Sequence, residues 1–167
     1  NFNKFSIIKK DKSNYFLTGS IFNADNLIEN LLSNNQNFPK ILNKNFDMSI
    51  KIDKLLLNKN YNLNNFNGDL SFKNQEIING NLTGLFSNKK EFRFTVKSVG
   101  NQKITTLFSD EADAIVGRYR FIKGFRDGVL DFYSSKQNNV SVSKIKIYDF
   151  KLKKLPALTK LLTLASL

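Results

Sequence analysis

The sequence predicts a mostly β fold: a curled antiparallel β-meander shaped as an open groove, with about three short helices, the last of them amphipathic. Three observations predict it. Apolar and polar residues alternate at period two through four successive stretches, the breaks between those stretches are short and polar, and helix-type spacing is confined to three short places.

The first helical place runs from Ala24 to Leu32, where Leu27, Ile28, Leu31 and Leu32 fall on one face behind Asn23, a residue type suited to capping. Alternation follows. Met48, Ile50 and Ile52 share a face opposite Ser49, Lys51 and Asp53; Phe66, Gly68, Leu70 and Phe72 share one opposite Asn65, Asn67, Asp69, Ser71 and Lys73. Ile78, Gly80, Leu82, Gly84 and Phe86 line up against Asn79, Asn81 and Thr83, and Phe92, Phe94 and Val96 against Glu91, Arg93, Thr95 and Lys97. The links Asn74-Gln75-Glu76 and Ser87-Asn88-Lys89-Lys90 are short, which favours antiparallel neighbours. Asn67-Gly68 and Asn79-Gly80 have hairpin-turn composition, but each Gly keeps phase with the apolar face of its own strand, so both belong to strand interiors.

The second helical place starts at Ser109 or Asp110 and runs to about Tyr119, with Asp110, Glu111 and Asp113 suited to the positive end of a helix. Gly128, Leu130 and Phe132 then alternate, as do Val140 and Val142. Ile145 and Ile147 fall out of phase with the valines, so a bulge or bend is expected near Ser143-Lys144. The third helical place is Leu155 to Leu167, with Pro156 in its first turn and Leu155, Leu158, Leu161, Leu162 and Ala165 in one stripe.

At 167 residues the chain is one domain's worth and can bury a core. We expect a single β-rich module over 1–167, with a β-repeat segment (1–108, one short helix) and a motif region (109–167, helix-strand-strand-helix). It starts at Asn1 without an initiator Met and closes on the apolar run 161–167, so it is expected to be a fragment of a longer polypeptide. No apolar run reaches the roughly 18 residues that a bilayer-crossing helix needs. Cys and His are both absent. That removes disulfides, thiolate metal sites, the usual zinc ligand and the usual general base together. The expectation is a non-enzymatic protein with no catalytic, cofactor or metal residues; Asp110, Glu111 and Asp113 are better explained as a helix start than as a metal or acid–base cluster.

A net charge of +12 attracts polyanions. The lysines, however, are spread along the chain, and the joint abundance of Asn, Lys, Ile and Phe is a compositional bias. The best basic-aromatic stretch is Arg118, Tyr119, Arg120, Phe121, Lys123, Phe125 and Arg126, and Lys151, Lys153 and Lys154 flank the last helix where anionic headgroups could meet them. No nucleic-acid partner is expected.

A sheet with one wet and one apolar face must cover the latter. Either the helices and the sheet itself close over it, or the sheet curls into a trough that receives acyl chains; Gly68, Gly80 and Gly84 leave room for curling. The candidate lipid-facing residues are Met48, Ile50, Ile52, Phe66, Leu70, Phe72, Ile78, Leu82, Phe86, Phe92, Phe94 and Val96. Leu155, Leu158, Leu161 and Leu162 are the candidate groove-capping helix.

From Ser109 onward the elements follow a particular order: Ser109-Asp110-Glu111-Ala112-Asp113, a short helix, Asp127-Gly128-Val129-Leu130, a strand ending Ile147-Tyr148-Asp149-Phe150, and the Leu155–Leu167 helix. This order resembles the AsmA-like C-terminal region of the YhdP family of bacterial envelope proteins, relatives of TamB. Pro156, Ala157, Leu158, Leu161, Leu162, Ala165, Ser166 and Leu167 match its closing helix, while Asp113 and Asp127 stand where that family usually has Gly. The motif-bearing part covers about a third of the chain. The resemblance implies a periplasmic module of a protein anchored in the inner membrane by a helix outside this chain. Such a protein forms a long β-groove that moves phospholipid toward the outer membrane and maintains its barrier. Phospholipid acyl chains are then the implied partner, membrane association belongs to other parts of the full protein, and no catalytic residues carry over. Two alternatives stay open: a basic module that engages nucleic acid or lipopolysaccharide, and a purely structural β-scaffold with a closed core.

Overall fold

The structure, a computed structural model, describes residues 3–32, 45–74, 76–117, 125–138 and 140–152. They form one nine-stranded sheet whose spatial order equals chain order. The strands are β1 (Lys4–Lys9), β2 (Asn14–Asn23), β3 (Phe46–Leu56), β4 (Asn62–Lys73), β5 (Glu76–Phe86), β6 (Glu91–Val99), β7 (Gln102–Ser109), β8 (Phe125–Gln137) and β9 (Val140–Leu152). Among the described residues two short helices accompany them, α1 (Asp25–Leu32) after β2 and α2 (Ala112–Val116) between β7 and β8. The sheet does not close on itself, so β1 and β9 are edges.

From β3 onward the chain is the expected antiparallel meander. β2 and β3, in contrast, run parallel. A parallel pair cannot be joined by a tight hairpin, so the chain has to travel back along the sheet, and α1 begins that return. Alternation alone does not single out β1, β2 or β7, because Phe5-Ile7-Ile8, Tyr15-Phe16-Leu17 and Ile104-Leu107-Phe108 put apolar groups on both faces. Asn67-Gly68 and Asn79-Gly80 lie inside β4 and β5, as expected, and the corners Asn74 and Lys89 take positive φ of 50° and 64°.

The register lines side chains up in rows across the sheet. One row is unbroken over all nine strands: Ile7, Leu17, Ile50, Gly68, Leu82, Phe94, Leu107, Phe132 and Ile145. We call its side the inner face. Beyond α1 and α2, the strand ends at one border (the helix edge) are joined by the loops 57–61 and 87–90. At the opposite border (the hairpin edge) β1 turns into β2 through 10–13 and β6 into β7 through 100–101, and β4 and β8 end at the turn residues Asn74 and Asn138.

Near the helix edge the strands change phase. Ile52 and Leu55 on β3, and Leu63 and Phe66 on β4, belong to one buried cluster although each pair is three residues apart. A register step between Asn64 and Asn67, with Asn65 at φ 51°, turns β4 there. The main core forms around this turn: Ala24, Ile52, Leu55, Leu57, Leu63, Phe86 and, from α2, Ala114.

Four expectations need correction or fall elsewhere. A second step between Ser71 and Phe72 sets Ile77 opposite Phe72, and Ile77, instead of Ile78, packs on the core. No bulge occurs near Ser143-Lys144, since β8 and β9 pair without a break from Tyr148 to Val140. Val140 and Val142 simply face away from Ile145 and Ile147, which an exposed edge strand tolerates. The helix after Ser109 ends at Val116, short of Tyr119. The Leu155–Leu167 helix, with Leu155, Leu158, Leu161 and Leu162, lies outside the described residues, as do Arg118 to Lys123 and Lys153-Lys154.

Candidate functional site

The inner face is partly covered at the helix edge. α1 contributes Ile28 to the packing over β2–β4, and α2 lies between two clusters, with Ala114 in the main core and Ala112 packed with Phe125 and Leu130. The acids that open α2 hold it to the neighbouring loops. Glu111 accepts from Asn88 Nδ2 at 2.6 Å and pairs with Lys90 at 3.0 Å. Asp113 accepts from the Tyr61 hydroxyl at 2.8 Å, and Asp110 accepts from the Glu91 amide at 2.8 Å. Burial first, and then the Asp113 hydrogen bond, push the Tyr61 phenol above the usual tyrosine range. These carboxylates are struts. Glu111 is the helix N-cap residue and makes no side-chain cap bond, so the expected helix-start role describes where the acids stand and misses what they hold. Among the described residues no group of His, Cys, Asp and Glu is placed to hold a metal ion.

Register puts the candidate groove residues, other than Ile78, in rows of the inner face, and burial divides them into two groups. Ile50, Ile52, Phe66, Leu70, Phe86 and Val96 are buried; Met48, Phe72, Leu82, Phe92 and Phe94 are half-buried. The half-buried part continues past β6 through Leu107, Phe132 and Ile147 to Ile145, which is 63% exposed. Leu107 and Phe132 are therefore wall residues as much as Leu82 and Phe94. Ile104 and Phe108 face the other way and blur the pattern around Leu107, while Phe132 stands in the alternation of Gly128 and Leu130 and could have been found there. At the hairpin edge Phe46 stacks on Phe72 with ring centroids 4.5 Å apart, and Tyr15 meets Phe46 edge-on.

Toward the hairpin edge, the inner face of β7–β9 becomes polar. Thr105, Ser134 and Ser143 form the next row, and Lys103, Lys136 and Ser141 the last. Ser143 donates to Ser134 at 2.8 Å. Glu76, at the start of β5, reaches Lys103 at 2.6 Å and Lys136 at 3.4 Å. Side chains that rise from a sheet meet across the intervening β6 and β7 when the sheet curls toward their side. Lys103, and less so Lys136, hold the Glu76 carboxyl below its ordinary range.

The outer face is a different surface. One row across it carries Asn67, Thr83, Arg93, Phe108, Asp131 and Lys146, and the Arg93 guanidinium lies 4.8 Å from the Phe108 ring centre. A depression of about 430 Å³ there is lined by Ser49, Lys51, Asp53, Asn65, Asn67 and Asp69 with Phe16. Ile50, Ile52 and Phe66 also line it, so it is a shallow hollow of mixed character, unlike the long apolar inner wall. Comparison with protein-family models, with curated proteins and with solved structures finds no match to this chain.

Proposed function

We propose that this chain is a non-enzymatic lipid-binding module of a bacterial cell envelope, and that its inner wall holds phospholipid acyl chains and lets them pass between the inner and outer membranes. One observation carries the reading: a single row across nine strands bears apolar side chains on one face, interrupted only at Gly68, and its β5–β9 half stays half-exposed. Water-facing apolar surface of that continuity is costly, and patches of this kind mark interaction sites. An acyl chain meets the cost directly. Each methylene leaving water contributes about 0.8 kcal/mol, so a chain of about sixteen carbons gains on the order of 10 kcal/mol. The centre of the wall offers no polar anchor, which suits sliding. The resemblance of residues 109–167 to the AsmA-like C-terminal region favours a periplasmic setting and phospholipid as the cargo.

The test is lipid carriage. The purified chain is analysed by native mass spectrometry and by thin-layer analysis of its organic extract, beside Leu82→Lys and Phe132→Glu on the wall and Phe108→Glu on the outer face. The expected result is co-purifying phospholipid that is lost in both wall variants and kept in the outer one, with unchanged far-UV circular dichroism. A lipid-free, tightly folded monomer refutes the reading and leaves a structural scaffold.

A further inference from the structure

The inner face changes character along β7, β8 and β9. From the helix edge its rows are Ser109–Leu130–Ile147, Leu107–Phe132–Ile145, Thr105–Ser134–Ser143 and Lys103–Lys136–Ser141. Alkyl and aromatic groups give way to hydroxyls and then to ammonium groups. From Leu107 to Lys103 the path is four residues, about 13 Å at roughly 3.3 Å per residue. An amphiphile has the same order of parts: acyl chain, ester and glycerol oxygens, charged headgroup.

The lysine row is costly as it stands. Lys103 and Lys136 are direct cross-strand partners on one face, and like charges so placed destabilise a sheet. Glu76 comes over from β5 and touches both, but among the described residues two ammonium groups and one carboxylate still leave one positive charge unbalanced at the end of an apolar wall. Glu76 itself is about half exposed, its side chain at 54%. It is a counter-ion at the rim, open to a competitor with more acceptor oxygens.

We propose that Lys103 and Lys136 form a headgroup subsite for the phosphate of an anionic phospholipid. Thr105, Ser134 and Ser143 face the ester and glycerol oxygens, and the acyl chain lies on Leu107 and Phe132. The proposal rests on the lipid-binding reading of the wall and adds to it the charge of the lipid and the direction in which it lies. Phosphate accepts charge-assisted hydrogen bonds from both ammonium groups, and its single negative charge is the one that the Glu76–lysine cluster lacks.

The experiment uses the whole chain stripped of lipid and isothermal titration calorimetry with dihexanoyl-phosphatidylglycerol below its micelle concentration. Uncharged dihexanoylglycerol and inorganic phosphate are titrated in parallel. Expected is a loss of about tenfold or more in phosphatidylglycerol affinity in Lys103→Gln/Lys136→Gln, the size of one lost charge-assisted bond. Glu76→Gln should bind phosphatidylglycerol several-fold more tightly, and dihexanoylglycerol should be unaffected by either change. Lys144→Gln/Lys146→Gln removes the same charge from the outer face of β9 and should leave the affinity within about twofold. The subsite is refuted if phosphatidylglycerol binds Lys103→Gln/Lys136→Gln as it binds the wild type, or weakens equally in the outer-face pair. Inorganic phosphate binding as tightly as the lipid also overturns it, in favour of a free-anion site. If neither lipid binds at all, the wall reading fails, and that outcome is distinct from lysine-insensitive binding of both. Should the double variant lose its circular dichroism spectrum, Lys136→Gln alone, at the end of a hairpin, carries the same test with a several-fold loss.

Discussion

Replacing Gly68 with alanine puts a methyl group against the β5 backbone. Its φ is +145°, and a Cβ built there lies 1.8 Å from the Asn81 carbonyl oxygen and 2.9 Å from the Leu82 Cα. Both obstacles are backbone, so no rotamer change relieves them. Two costs add: a conformation that L-residues rarely take, about 1–3 kcal/mol, and a forced separation of two paired strands, about 1–3 kcal/mol more. The expected loss is about 2–6 kcal/mol against a typical domain stability of about 5–15 kcal/mol. Gly100 supplies the control. It also has positive φ, +57°, but no described residue lies within 4 Å of its Cβ position, so alanine there costs the left-handed backbone, about 1–2 kcal/mol. Gly80 falls between: its new methyl meets Leu70 Cδ2 at 2.7 Å, the far end of a side chain that can swing away. Urea denaturation followed by circular dichroism, with linear extrapolation, ranks the three. Equal losses at Gly68 and Gly100 would show that close approach of β4 and β5 does not govern this position.

Leu63→Ala empties a fully enclosed site and should cost about 2–5 kcal/mol, while Leu85→Ala, at a site 37% exposed on the neighbouring strand, should cost much less; the same urea assay checks both. Tyr61→Phe removes the hydroxyl that donates to Asp113 and should cost about 1–2 kcal/mol. Because the folded phenol holds its proton above the unfolded value of about 10, its contribution is complete below that pH, declines as pH rises above it and is gone once pH passes the folded pKa. Stability measured between pH 9 and 11 should therefore fall more steeply in the wild type than in Tyr61→Phe. For Glu76 the sign is opposite: its carboxyl is lowered by Lys103, so the pairing contributes above the unfolded carboxylate pKa and disappears as pH falls through the folded one. Carboxyl NMR titration should show Lys103→Gln returning Glu76 toward the ordinary range, and added salt doing the same in the wild type; an unmoved titration would separate Glu76 from Lys103.

Much of the sheet was legible because period-two alternation is the direct imprint of a face that must be buried. Met48-Ile50-Ile52 and Phe92-Phe94-Val96 became inner-face runs of β3 and β6 for that reason. The signal fails where both faces carry apolar groups. Phe16 and Leu17 point opposite ways on β2, and Leu107 and Phe108 on β7, so neither strand stands out. It fails again at bulges, where one extra residue exchanges Ile78 for Ile77. The parallel step from β2 to β3 was hidden because a crossover has no local composition signature, and α1 looks the same whether or not it makes one. The lysine row is a product of register alone. Lys103 and Lys136 are far apart in sequence, each in an unremarkable polar stretch, and only pairing of β7 with β8 sets them side by side.

Spatial order equal to chain order has a kinetic side. Each strand from β4 to β9 needs only the strand just made before it, so pairing can proceed like a zipper, with short links to close at every step but β7–β8, where residues 110–124 intervene. The seam between β2 and β3 asks for the longest span, since residues 24–45 must be crossed before the two meet. A chain assembled from one end would raise the β3–β9 ribbon stepwise once β3 exists, while the β1–β2 hairpin waits as a separate piece to be docked. Slowing that docking, by lengthening the segment after Leu32, should leave a ribbon that has formed without its first hairpin, visible in pulse-labelled amide exchange as late protection confined to β1 and β2.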